Sequence, residues 1–146
     1  MGLPALAFCG FETSAPGLKF MRHPKNLTTI GEHVKKKRID LRLLQKEVAE
    51  RIGVSEDCIT LWENNRSIPQ VKFMPKIIQF LEYIPVKINT ETLGGKVKAY
   101  RYLKGLSHKK FGKLLGVDAS SVSAWESNKS SPREATLKLL QTYLTK

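Results

Sequence analysis

Cysteine is scarce in this chain of 146 residues: Cys9 and Cys58 stand far apart and outside any CxxC spacing. Such a pair builds neither a disulfide framework nor a zinc site, and reduced thiols are expected. The longest apolar stretches, such as Leu3 to Cys9, are far too short to cross a bilayer. That stretch also lacks a basic leader and a small-x-small cleavage site, so neither a membrane protein nor a secreted one is expected, and the cytoplasm is the expected location. Three histidines (His23, His33, His108) have no Cys, Asp or Ser at a spacing that makes a triad or a metal site, and no HExxH or glycine-rich phosphate loop occurs. No enzyme, metal or cofactor is expected. Acidic residues are also short, 13 Asp and Glu against 25 Lys and Arg, for a net charge of +12. A small basic chain of this kind implies an acidic partner, of which nucleic acid is the commonest and an anionic membrane surface the alternative.

What is present is a repeat. Sliding the chain by 63 residues superposes Ile30–Leu81 on Leu93–Leu144 without a gap, with 14 of 52 positions identical. The identities include Gly31/Gly94, Arg38/Arg101, Gly53/Gly116, Val54/Val117, Trp62/Trp125, Glu63/Glu126, Asn65/Asn128 and Pro69/Pro132. Rare Trp, Gly and Pro do not fall into one register by chance, so the unit is duplicated.

Each copy reads as four short helices, and the fold class expected is all-α. In the first copy the spacing predicts helices over Ile30–Leu41, Gln45–Ile52, Glu56–Asn64 and Val71–Tyr83. Gly53 supplies the helix stop, Ser55 caps the third helix, Asn65 takes a positive φ, and Pro75 falls in or near the first turn of the fourth. The second copy repeats this as Leu93–Leu103, His108–Leu115, Ala119–Ser127 and Glu134–Leu144, with Asp118 as the cap. Both tryptophans read as core, because Ile59 or Val122 accompanies them at helical spacing. Residues 1–29 carry Gly and Pro without periodicity and read as a loosely ordered leader; 30–83 and 93–146 are the two domains, and 84–92, with Pro85, is a short extended linker.

Two short helices joined by Gly-Val-Ser or Gly-Val-Asp form a helix-turn-helix, whose second helix enters the major groove while the first crosses the backbone. The string from Leu43 to Pro69, with its Gly-Val turn, Ile-Thr-Leu-Trp-Glu and Asn-Arg-Ser-Ile-Pro, resembles the lambda-repressor-like, Cro/C1-type (XRE) family of bacterial and phage regulators. Leu106 to Pro132 resembles it again, and together the copies cover about 104 of 146 residues. The resemblance implies two tandem lambda-repressor-like domains that bind double-stranded DNA and regulate transcription. It also implies ion pairs Arg38–Glu63 and Arg101–Glu126 that clamp the recognition helix, and base-reading positions at Glu56, Asp57, Thr60 and Leu61 and at Ala119, Ser120, Ser123 and Ala124. Here the chain departs from the family, where Gln, Arg and Asn are common readers. Two acids repel phosphate; they either accept from cytosine N4 or merely complement the helix dipole.

Phosphate contacts are expected at the start of the second helix (Gln45 and Lys46; His108 and Lys109) and in the loop after the third (Asn65, Arg66 and Ser67; Asn128, Lys129 and Ser130). The first copy holds 10 basic and 7 acidic residues, net +3; the second holds 10 and 3, net +7, and carries the stronger phosphate-binding field. The rival expectation is a protein-interaction, antitoxin or adaptor module in which one copy has lost DNA binding, as the acidic third helix of the first copy suggests. A homodimer or protein partner is compatible with either. RNA is disfavoured because the aromatic stacking platform is missing.

Overall fold

The computed structural model describes residues 27–145; the expected leader falls almost wholly outside them, as do Cys9 and His23. The described part is helical without strands and divides into two compact units at Lys87–Ile88. The first holds α1 (Ile30–Asp40), α2 (Gln45–Ile52), α3 (Glu56–Glu63), one 3-10 turn (Val71–Phe73) and α4 (Met74–Leu81). The second holds α5 (Leu93–Lys104), α6 (His108–Leu115), α7 (Ala119–Glu126) and α8 (Glu134–Leu144).

Local chemistry explains most boundaries. Thr29 caps α1 in a reciprocal capping box: its hydroxyl accepts from the Glu32 amide while the Glu32 carboxylate takes the Thr29 amide. The same carboxylate also accepts from the Thr28 amide, and these backbone bonds hold its pKa below the ordinary value. Gly53 and Gly116 sit at φ 82° and 72°, which lets the Val54 and Val117 amides turn back onto the carbonyls of Ala49 and Gly112 at 3.0 and 2.8 Å. Ser55 caps α3 through the Cys58 amide.

Several expected boundaries need correction. The single fourth helix over Val71–Tyr83 is instead a 3-10 turn followed by a shorter α4, because Pro75 has no N–H to give and is accommodated only at an α-helix start. α4 then stops at Glu82, which adopts a left-handed φ of 69°. Asp118 occupies the cap position of α7 but its side chain makes no capping bond, so the expected equivalence with Ser55 is one of position only. The other helix ends move by one residue at most, from Leu41 to Asp40, Asn64 to Glu63, Leu103 to Lys104 and Ser127 to Glu126.

The 84–92 segment contains neither strand nor helix. Within it Pro85 is buried, the Asn89 carbonyl lies against Gly95, and Thr92 caps α5.

In the first unit Val34, Val48, Ile52, Ile59, Trp62, Ile77, Ile78 and Leu81 form the core. In the second, Val97, Phe111, Leu115, Val122, Trp125 and Leu140 do so, with Tyr100 and Tyr143 packed against Phe111. Both indoles are thus core groups, at 4% and 5% exposure, and no base can reach them.

Candidate nucleic-acid interface

On α3 the buried residues Ile59, Trp62 and Glu63 define the inward face. At 100° per residue the opposite face carries Asp57, Thr60, Leu61 and Asn64, with Glu56 at its edge. Of these Glu56, Asp57, Leu61 and Asn64 are exposed and Thr60 is half-buried. On α7, Val122 and Trp125 point inward, leaving Ser120 and Ser123 exposed, Ala119 and Ala124 half-buried and Ser127 exposed at the end. Asn64 and Ser127 were not among the expected readers, although they lie one turn beyond Thr60 and Ser123.

A buried polar network fixes each of these helices. Arg38 grips Glu63 with two parallel bonds, Nε to Oε1 at 2.7 Å and Nη2 to Oε2 at 2.9 Å, and donates through Nη1 to the Leu43 carbonyl at 3.1 Å. The carboxylate in turn holds the guanidinium above its ordinary pKa. Gln45 completes the network, its Nε2 donating to Glu63 Oε2 at 2.9 Å and its Oε1 accepting from the Thr60 hydroxyl at 3.0 Å.

In the second unit Arg101 pairs with Glu126 in the same bidentate way and donates to the Leu106 carbonyl at 2.8 Å. His108 takes the place of Gln45, with Nε2 3.1 Å from Glu126 Oε1. One carboxylate therefore ties the first helix, the start of the second and the end of the third into one orientation.

The expected phosphate positions separate into two kinds. Lys46, Arg66 and Ser67, and Lys109, Lys129 and Ser130, are exposed. Gln45 and His108 are only half-exposed, because their side chains serve the network, as does that of the expected base-reading residue Thr60.

Asn65 departs furthest from expectation. Its φ is 58°, but its side chain accepts from the Thr29 hydroxyl at 2.7 Å and reaches Glu32 at 3.4 Å, which engages it with the start of α1. Asn128, at φ 59°, has no such engagement among the described residues: Gly95 stands where the first unit has Glu32, and the hydroxyl of Thr92, the counterpart of Thr29, donates to the Asn89 carbonyl.

Charge follows the same asymmetry. Exposed charges on α2 are mixed (Lys46, Glu47, Glu50, Arg51), whereas α6 exposes Lys109, Lys110 and Lys113 with no acid. Of these three lysines only Lys109 was expected as an individual phosphate contact.

A helix-turn-helix family model matches the chain twice, over residues 34–87 and 97–145. The chain belongs to the Cro/C1-type helix-turn-helix family, as two tandem copies. No curated protein and no solved structure matches it. Membership makes it a DNA-binding helix-turn-helix regulator in class, and the two helix-turn-helix elements are α2–α3 and α6–α7. Among the described residues no helix is long and apolar enough to cross a membrane.

Proposed function

We propose that this helix-turn-helix protein regulates transcription by reading duplex DNA with α3 and α7, and that the second unit supplies most of the phosphate affinity. The observation that carries this reading is the outward face of α7. Small hydroxyl and methyl groups (Ser120, Ser123, Ala124) permit close approach to base edges, and the unit around them is strongly cationic, with Lys109, Lys113 and Lys129 exposed. Because the two units share one chain, each raises the effective concentration of the other at adjacent half-sites.

The first unit also supports a second reading. Its recognition face joins the acids Glu56 and Asp57 to Leu61, 42% exposed, and Leu44 at the start of α2 is 68% exposed. Acids beside exposed leucines suit a protein surface better than a phosphate backbone.

Titration of the whole chain against random-sequence duplex at several salt concentrations tests the DNA-binding reading. DNA binding predicts a fall of about a thousandfold or more between roughly 50 and 200 mM salt, as expected for six or more phosphate contacts. Absence of binding at low salt would leave the interaction module standing.

A further inference from the structure

His108 and Gln45 occupy equivalent places, the first residue of α6 and of α2, and both reach the buried carboxylate that clamps the recognition helix. Their remaining valences differ. An ionised carboxylate only accepts, so the hydrogen between His108 and Glu126 resides on Nε2. That contact selects the tautomer, and in the neutral ring Nδ1 is then a bare lone pair. Nδ1 has no hydrogen-bond partner among the described residues, and the side chain is 39% exposed. A phosphate oxygen also only accepts, and a lone pair has nothing to offer it. Gln45 meets no such conflict. Its amide gives one hydrogen to Glu63 and keeps a second, uncharged, at every pH.

We propose that His108 couples DNA binding by the second unit to the uptake of one proton. Solvent supplies the proton to Nδ1, no bond breaks, and the resulting imidazolium donates at Nε2 to Glu126 and at Nδ1 to a backbone phosphate. Glu126 from α7 meets the ring, Arg101 from α5 is joined to it through the same carboxylate, and the exposed Lys109 and Lys110 follow it on its own helix. Arg101 already pairs with Glu126, and a phosphate adds the further negative charge that favours the imidazolium on binding. The Nε2–H bond to Glu126 is kept in both protonation states, so the coupling needs no loss of structure. The inference rests on the DNA-binding reading above.

The test compares the whole chain with His108→Gln, which installs the arrangement seen at Gln45 and preserves a donor for Glu126. Affinity for a random-sequence duplex is measured at constant salt from about pH 8 to about pH 5.5, the range in which imidazoles titrate. Calorimetry in two buffers of different ionisation enthalpy counts the protons taken up. The wild type is expected to gain up to tenfold in affinity per pH unit on acidification and to take up as much as one proton more than H108Q. Gln45→His is expected to add a second increment. The inference is overturned if H108Q binds with the same pH slope and the same proton count as the wild type. If neither protein binds at any pH, the DNA-binding reading falls and this one with it. Thermal melts across the same range confirm that H108Q remains folded.

Discussion

Gly31 lies directly against the backbone of Trp62: a Cβ added there would sit 1.7 Å from the Trp62 carbonyl oxygen, and Gly94 repeats the approach to Trp125 at 2.1 Å. The first helix of each unit therefore rests on the main chain of the recognition helix, with no side chain between them. In an open helix Gly→Ala stabilises by about 1 kcal/mol. Here the sign reverses, because only backbone can yield. Gly31→Ala and Gly94→Ala are each expected to cost about 2 to 3 kcal/mol, read by urea denaturation, and a stabilised variant would contradict the approach.

The two ion pairs differ in depth. The Arg101 side chain is 4% exposed and that of Arg38 17%, while both carboxylates are nearly sealed. Removing the carboxylate strands a buried guanidinium, at a cost of about 3 to 5 kcal/mol. Glu126→Ala should be the worse of the two, since Arg38 has a shorter way to water. Each tryptophan precedes its glutamate in sequence, so tryptophan fluorescence during denaturation reports both cases, and a larger destabilisation by Glu63→Ala would refute the ranking.

Burial, and to a lesser degree the charge of Asp40, pushes the Tyr83 phenol up to about 12. The protonated form is favoured in the folded state, so this contribution to stability is complete below about pH 10, the ordinary phenol value. It declines as pH rises towards 12. Burial raises the Tyr100 phenol as well, so an ultraviolet phenol titration should show a late step near pH 12 that loses amplitude in Tyr83→Phe. If that variant retains the full amplitude of the late step, the assignment to Tyr83 is wrong.

Unequal charge predicts unequal dependence on the two units. Lys109→Gln with Lys129→Gln should weaken binding to all duplex sequences alike and lower the salt slope by about 2, because two phosphates are then no longer neutralised. Lys46→Gln with Arg66→Gln should do less, since the first copy carries acids on α2 and at the start of α3 and a net charge of only +3. Equal effects in an electrophoretic or fluorescence titration would remove the ranking of the units.

The repeat, the glycine turns and the inward tryptophans were legible because each leaves a local trace: a fixed offset, a positive φ, an apolar residue at helical spacing. Asn65 shows where such reading stops. Its conformation followed from its position in the sequence, but its bonds to Thr29 and Glu32 span more than thirty residues and have no local trace. The close approach at Gly31 and Gly94 was visible as an identity between the copies without its cause, since only the packed helices show what fills the missing Cβ. Asp118 illustrates the reverse case, a residue of capping type at the cap position whose side chain does not cap.

Composition and pattern alone determined the duplication, the helical class and the excess of charge in the second copy, because these depend on residue kinds and their spacing along one chain. Tertiary structure alone decided how the side chains of Gln45, Thr60 and His108 are engaged. Each meets a group from another helix, and whether a polar group remains available to a ligand depends on what already holds its hydrogens.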